Sequence, residues 1–217
     1  MGDRSNASSG SFVWARLGSF LSVVPLGVWT VNHLWKNLAA FQGPDAWERS
    51  VTQYAHPVAE ALTLIMVLVP LLIHSLWGIQ RLFSFRPNNL ANPYYDNFKY
   101  LLQRLSAIGV LLFLGAHLWL AMIQPRLVQG RPEPFSDVAY EMRFHTPTLI
   151  VYLLGTLAVC YHLANGLFGF VWTWGTAEGR HSFRRINVFA TITFVVLMCF
   201  SWGAIYALWS AGARYSR

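Results

Sequence analysis

Four histidines, His33, His74, His117 and His162, lie in four different long apolar stretches. Each is the only imidazole, acid or base in the heart of its stretch: 17–35, 61–80, 105–125 and 146–177. A fifth apolar stretch, 186–210, has no His and no charge. An ionisable group in hydrocarbon is costly and therefore a functional candidate. One such His is more often a hydrogen-bonded packing residue than a ligand. Four, one per helix, need a joint explanation.

Depth supplies it. Five alternating helices rise about 1.5 Å per residue. Counted from Arg16 along helix I, His33 lies roughly 26 Å from the face where the chain enters. Counted from Lys99 along helix III, His117 lies roughly 27 Å from that face. Counted back from the ends of helices II and IV near Leu82 and Thr173, His74 and His162 lie roughly 12 and 16 Å from it. The depths pair His33 with His117 and His74 with His162.

Two imidazoles on facing helices at one depth can supply both axial nitrogens to a flat macrocycle in a bundle core. Two pairs imply two haems stacked across the membrane. Zinc usually takes four ligands at one place, and these pairs have no Asp or Glu beside them in sequence. No Cys-x-x-Cys-His occurs, which excludes covalent c-type attachment and leaves non-covalent b haems.

The elements that must position these residues are legible in composition. The chain has 217 residues, 55% hydrophobic and 12% charged, with mean hydropathy +0.39. That is a membrane chain, and five spans of about 20 residues leave no length for an independent enzyme domain. The net charge of +7 does not imply nucleic acid, because the basic residues lie at helix ends and in short loops. Cys160 and Cys199 lie in apolar stretches and read as packing residues. No removable signal peptide is expected.

The expected architecture is an all-α bundle of five transmembrane helices. Residues 1–15 form a cytoplasmic tail whose first ten are mobile, 16–210 the di-haem domain, and 211–217 a short outer tail. Helix I runs from Arg16 to Trp35 through Pro25 and Gly27, and Gly43-Pro44 marks a turn. His56-Pro57 opens helix II, which runs to Phe83. Pro70 leaves a carbonyl free one turn before His74 and is expected to bend the helix there. Turns are expected at Arg86-Pro87-Asn88-Asn89 and Asn92-Pro93. Helix III spans Asn97 to Gln124. The connection Pro125 to Pro147 holds a short surface helix, Phe135 to Phe144. Thr146-Pro147 opens helix IV, which ends near Trp174-Gly175. Glu178 to Arg185 reads as a basic loop before helix V.

Lys and Arg set the orientation. The N-terminal face collects Arg4, Arg16, Arg81, Arg86, Lys99, Arg104, Arg180, Arg184 and Arg185, nine in all. The other collects Lys36, Arg49, Arg126, Arg131, Arg143, Arg214 and Arg217, seven in all. The N-terminus is expected in the cytoplasm and the C-terminus outside. Trp14, Trp35, Trp172, Trp174 and Trp209 suit interfacial anchoring. Trp77 and Trp119 suit either haem pockets or core packing. Gly115, Gly155, Gly166 and Gly169 suit close approach of a helix or a flat ring.

The stretches RLGSFLSVVPLGVWTVNHL, VPLLIHSLWG, LQRLSAIGVLLFLGAHLW and YHLANGLFGFVWTWG resemble the cytochrome b558 subunit of succinate dehydrogenase, related to the fumarate reductase cytochrome b. The resemblance runs from about Arg16 to Trp209. Gly18 departs from an Arg-Leu-His-Ser run common in that family; it is not among the proposed iron ligands. The resemblance implies a five-helix anchor in a bacterial cytoplasmic membrane that holds a flavoprotein with FAD and an iron–sulfur subunit. It implies electron transport from succinate, a tricarboxylic acid cycle substrate, through two b haems to a quinone, usually menaquinone. Dicarboxylate chemistry then lies in a partner.

Quinone reduction needs protons, and Glu60, one turn into helix II, is the acid singled out as donor. Its alternative role is to complement the helix dipole. Arg104 and Lys99 suit haem propionates, the iron–sulfur partner or ordinary positive-inside placement. Rival readings are a fumarate reductase anchor, a cytochrome b anchor of a hydrogenase or formate dehydrogenase, and a non-redox proton-coupled transporter lined by the four His. The last lacks the internal repeat and interrupted paired helices of many transporters.

Overall fold

Apolar runs of this length leave the backbone no water to bond with, so helices are the open-chain solution. A computed structural model describes Val13 and residues 16–53, 57–83, 94–175 and 179–216, and its elements there are helical without a strand. The tail 1–10, Trp14, His56, the turns at 86–89 and 92–93, Glu178 and Arg217 lie outside the described residues, as do the side chains of Trp172 and Arg180. Five helices are long and apolar enough to span: α1 (Arg16–Gln42), α3 (Pro57–Phe83), α4 (Tyr95–Val128), α6 (Thr146–Thr173) and α7 (Gly179–Gly212). The shortest span, Glu60–Phe83, has 24 residues. That is about 36 Å of helix, against a hydrocarbon layer of about 30 Å. Two short helices, α2 (Pro44–Val51) and α5 (Phe135–Phe144), join spans at the face opposite the N-terminus.

Two prolines are absorbed by widening the helix. Pro25 lies inside a π-helical turn, Ser22–Gly27. Pro125 follows a π-helical turn, Trp119–Ile123. A proline cannot donate to the carbonyl four residues back and its ring crowds that carbonyl, and a π turn is a known local adjustment within helices. Helix α4 therefore continues past Gln124, the expected end, to Val128. Helix α3 stays α-helical through Pro70. Helix α7 begins at Gly179, so the expected basic loop is helix from that residue on. Arg184 and Arg185 therefore lie within the first two turns of that helix.

Each face of α3 has its own work. Leu62, Ile65, Val69, Leu72 and Leu76 are half or more exposed and recur at helical spacing, which makes an apolar stripe for lipid. Glu60, Leu64, Val67, Leu71, His74 and Gly78 recur at the same spacing on another face. The first four line a cavity.

The tightest packing lies at the far face. Trp47 of α2, Phe135, Ala139 and Met142 of α5, and Ile205, Ala207 and Leu208 of α7 form one buried cluster. Trp47 and Phe135 meet edge to face at 5.7 Å. The Phe135 N–H, orphaned at the start of α5, donates to Glu48 Oε1 at 2.9 Å, which caps one short helix with the other. A Cβ at Gly212 would stand 2.2 Å from the Ala139 carbonyl oxygen; only glycine lets α7 pass α5 this closely. A smaller cluster, Leu34, Cys160 and Leu197, ties α1, α6 and α7 together nearer mid-bundle. Cys160 is buried there, as its packing role requires, whereas Cys199 is exposed.

Candidate functional site: two histidine pairs and a cavity

The rings of His33 (α1) and His117 (α4) stand 6.0 Å apart between centroids, at 67°. Those of His74 (α3) and His162 (α6) stand 6.2 Å apart, at 70°. The pairing of helices is therefore the one expected from depth. Two imidazoles bonded to one metal ion from opposite sides at about 2 Å per bond hold their centroids roughly 6 Å apart. Among the described residues no group of three or more His, Cys, Asp or Glu is gathered for a bare metal ion. Two nitrogens per place suit a planar chelate that brings its own equatorial ligands.

For His74 and His162 the neighbours settle which ring nitrogen is free. His74 Nδ1 donates to the Gly18 carbonyl oxygen at 3.4 Å, because that oxygen can only accept. Its Nε2 keeps the lone pair. The Ser106 hydroxyl is spent on the Gln103 carbonyl at 3.0 Å, so its oxygen faces His162 Nδ1 at 3.3 Å as acceptor. The Gln103 amide donates to the His162 carbonyl at 3.3 Å, lies 3.2 Å from Nδ1, and is held by Asn165 Nδ2 donating to Gln103 Oε1 at 2.8 Å. His117 Nδ1 meets the Tyr152 hydroxyl at 3.1 Å. Such partners orient a ligating imidazole and fix its tautomer. His33 differs: its Nε2 lies 3.4 Å from Asn37 Nδ2. That amide donates to the His33 carbonyl at 2.8 Å, and its oxygen accepts from Trp47 Nε1 at 3.2 Å. His33 is also stacked on Trp29 at 4.7 Å and 9°, a contact that sequence spacing (i, i+4) permits but did not single out.

Around His74 and His162 the residues fit a flat anionic group. Gly78 and Gly166 lie one turn beyond the two histidines, on the same helix faces. No described atom lies within 4 Å of a Cβ built at either. At the same end Ser19 Oγ, Arg104 Nε and Trp174 Nε1 are buried without a hydrogen-bond partner among the described residues. Lys99 is committed elsewhere: its Nζ donates to Asn187 Oδ1 at 2.6 Å and sits 3.7 Å over Phe168. Trp77 lies 5.9 Å from His74, and Trp119 is half exposed beside the far-face cavity. Of the glycines read as close approaches, only Gly155 is one, with Phe113 against it; the space beside Gly115, Gly166 and Gly169 is open among the described residues.

A cavity of about 840 Å³ runs from His33 and His117 toward the far face. Its inner wall is apolar, with Leu64, Val67, Leu68 and Leu71. Its outer wall carries Glu60, Arg126, Glu133, Asp137 and Glu141. Glu60 accepts from Arg126 Nη2 at 3.1 Å, both about one-third exposed. Sequence reasoning singled out Glu60 as the only acid in a useful position; α5 brings two more, Asp137 and Glu141, to the same cavity, and the segment just before α5 brings Glu133. Their spacing, 133, 137 and 141, was the available signal. Burial, with Asp137 and Glu141 close by, pushes the Glu133 carboxyl up to about 7 against the opposing pull of Arg131.

No family model matches the chain. Over 203 residues it is 30% identical to the succinate dehydrogenase cytochrome b558 subunit of Bacillus subtilis (strain 168), a match covering 90% of this chain and 96% of that protein.

Proposed function

The chain belongs to the family of succinate dehydrogenase cytochrome b558 subunits, and on that premise we propose that it carries electrons across the membrane between a partner iron–sulfur subunit and a quinone. It is a multi-pass membrane anchor. Haem b is the cofactor that a cytochrome b subunit implies. Bound haem b supplies a one-electron carrier, and two of them at different depths bridge the bilayer. One observation carries the count of two: two imidazole pairs, each near 6 Å, on different pairs of helices.

His74 and His162 hold one iron through Nε2, oriented by the Gly18 carbonyl and Ser106. His33 and His117 hold the other, with Trp29 and Tyr152 as their supports. Ser19, Arg104 and Trp174 bond the carboxylates of the first haem. The apolar inner wall of the cavity keeps water from the second site. The N-terminal face is cytoplasmic, by its excess of Lys and Arg, and there the anchor meets the iron–sulfur subunit and, through it, the FAD subunit. The quinone, probed first as menaquinone, enters the cavity near His117, and Glu60 hands protons to it by general acid catalysis. The fumarate reductase direction uses the same parts in reverse.

Haem content of the purified complex tests this reading. Two b haems per chain are expected by pyridine haemochrome. His74→Ala and His162→Ala should each remove one and the same haem, and His33→Ala and His117→Ala the other. A wild-type content of one or none overturns the reading, as does loss of the same haem in His33→Ala and His162→Ala with the other spared.

A further inference from the structure

Reducing a quinone to its quinol takes two electrons, here supplied by dicarboxylate oxidation in the partner, and two protons. An O–H bond forms at each carbonyl oxygen. Those protons must reach a cavity whose inner wall is apolar. Four acids line its outer wall, and three are already engaged. Glu60 is paired with Arg126 at 3.1 Å. Asp137 is paired with Arg131 at 3.2 Å. Glu141 accepts from Thr148 Oγ1 at 3.2 Å and stands 3.2 Å from His145 Nδ1. Glu133 is different. It lies in the segment before α5, partly buried, and no described group donates to its carboxyl.

We propose that Glu133 is the proton carrier between the water of the far face and the quinone cavity. It takes a proton from water, gives it inward toward Glu60 or the quinone oxygen, and is reloaded twice per quinone reduced. The idea rests on the proposed quinone site. The groups around Glu133 suit the task. Asp137 and Glu141 follow it by four and eight residues, and their negative charge favours its protonated form. Arg131 opposes them, while Arg126, Tyr140, His145 and Tyr152 complete the titratable lining and His33 and His117 close the inner end. A carboxyl that holds its proton up to about pH 7 matches the pH at which it must both receive and release it.

The experiment uses the assembled complex in its membrane and follows succinate-driven reduction of a soluble menaquinone analogue across pH. Succinate oxidation by a dye acceptor and haem content report assembly. The wild type should lose quinone activity as pH rises through about 7. Glu133→Gln should lower quinone reduction by at least about tenfold, the low end for removing a general acid being higher still, with haem content unchanged. Glu133→Asp should restore part of the rate. Asp137→Asn removes a charge that favours the protonated carboxyl, so it should shift the alkaline limb to lower pH. Wild-type rate and limb in Glu133→Gln overturn the proposal, as does an unmoved limb in Asp137→Asn. Absence of quinone reduction by the fully haem-loaded wild type would instead overturn the function on which it rests.

Discussion

Gly155→Ala isolates how the far-face pair is held. The added Cβ would lie 2.0 Å from Phe113 Cδ2, 2.2 Å from Cγ and 2.8 Å from Cβ. Carbon atoms rest about 3.5 Å apart or more, so the ring must retreat by about 1.5 Å. Phe113 is buried, stacked on His117 at 5.4 Å and 20°, and edge-on to Tyr152 at 5.4 Å. Its retreat therefore moves one or both of the groups that set the His117 ring. Overpacking of this kind costs about 1–3 kcal/mol. Released at His117, that energy corresponds to roughly 5- to 150-fold weaker retention of whatever His33 and His117 hold. The assay is haem content and the reduced-minus-oxidised spectrum of the assembled complex, beside its thermal midpoint. The haem of His33 and His117 should be lost or shifted while that of His74 and His162 is kept. Gly203→Ala is the control, since its Cβ would meet its nearest neighbour, Leu38, at an ordinary 3.5 Å; a mid-helix Ala there should be neutral or stabilising by up to about 1 kcal/mol. Two unperturbed haems and an unchanged midpoint in Gly155→Ala refute the reasoning, and so does an equal loss of stability in both variants.

Glu60→Gln keeps size but cannot release a proton, and should slow quinone reduction with both haem spectra intact and the dye reaction normal. Its half-open pair with Arg126 should contribute only about 1 kcal/mol or less to stability, so normal quinone turnover would return Glu60 to a helix-end role. Ser106→Ala removes the acceptor for His162 Nδ1 and should weaken haem retention at that pair by about 10- to 100-fold, read as haem lost on detergent dilution; equal loss from both pairs would show a general packing defect instead.

The sequence determined the five spans, the short helix Phe135–Phe144 and the matching of histidines across helices. Those depend on local quantities: apolar run length, the helical period and a constant rise per residue. The same quantities misplaced two helix ends, at Gln124 and at Arg185, because apolarity marks the hydrocarbon edge while hydrogen bonding decides where helix stops. Tertiary structure alone decided what surrounds each imidazole. Ser106 reaches His162 from another helix, Tyr152 reaches His117, and the Gly18 carbonyl reaches His74 across 56 positions. It also decided that Glu133, Asp137 and Glu141 share a cavity with Glu60. Asp137 and Glu141, with Glu133 just before them, reach it because α5 is drawn across the bundle end by the Trp47–Phe135 contact, the Glu48 cap and the passage of Gly212. Each of these is a contact between segments far apart in the chain, which no periodicity records.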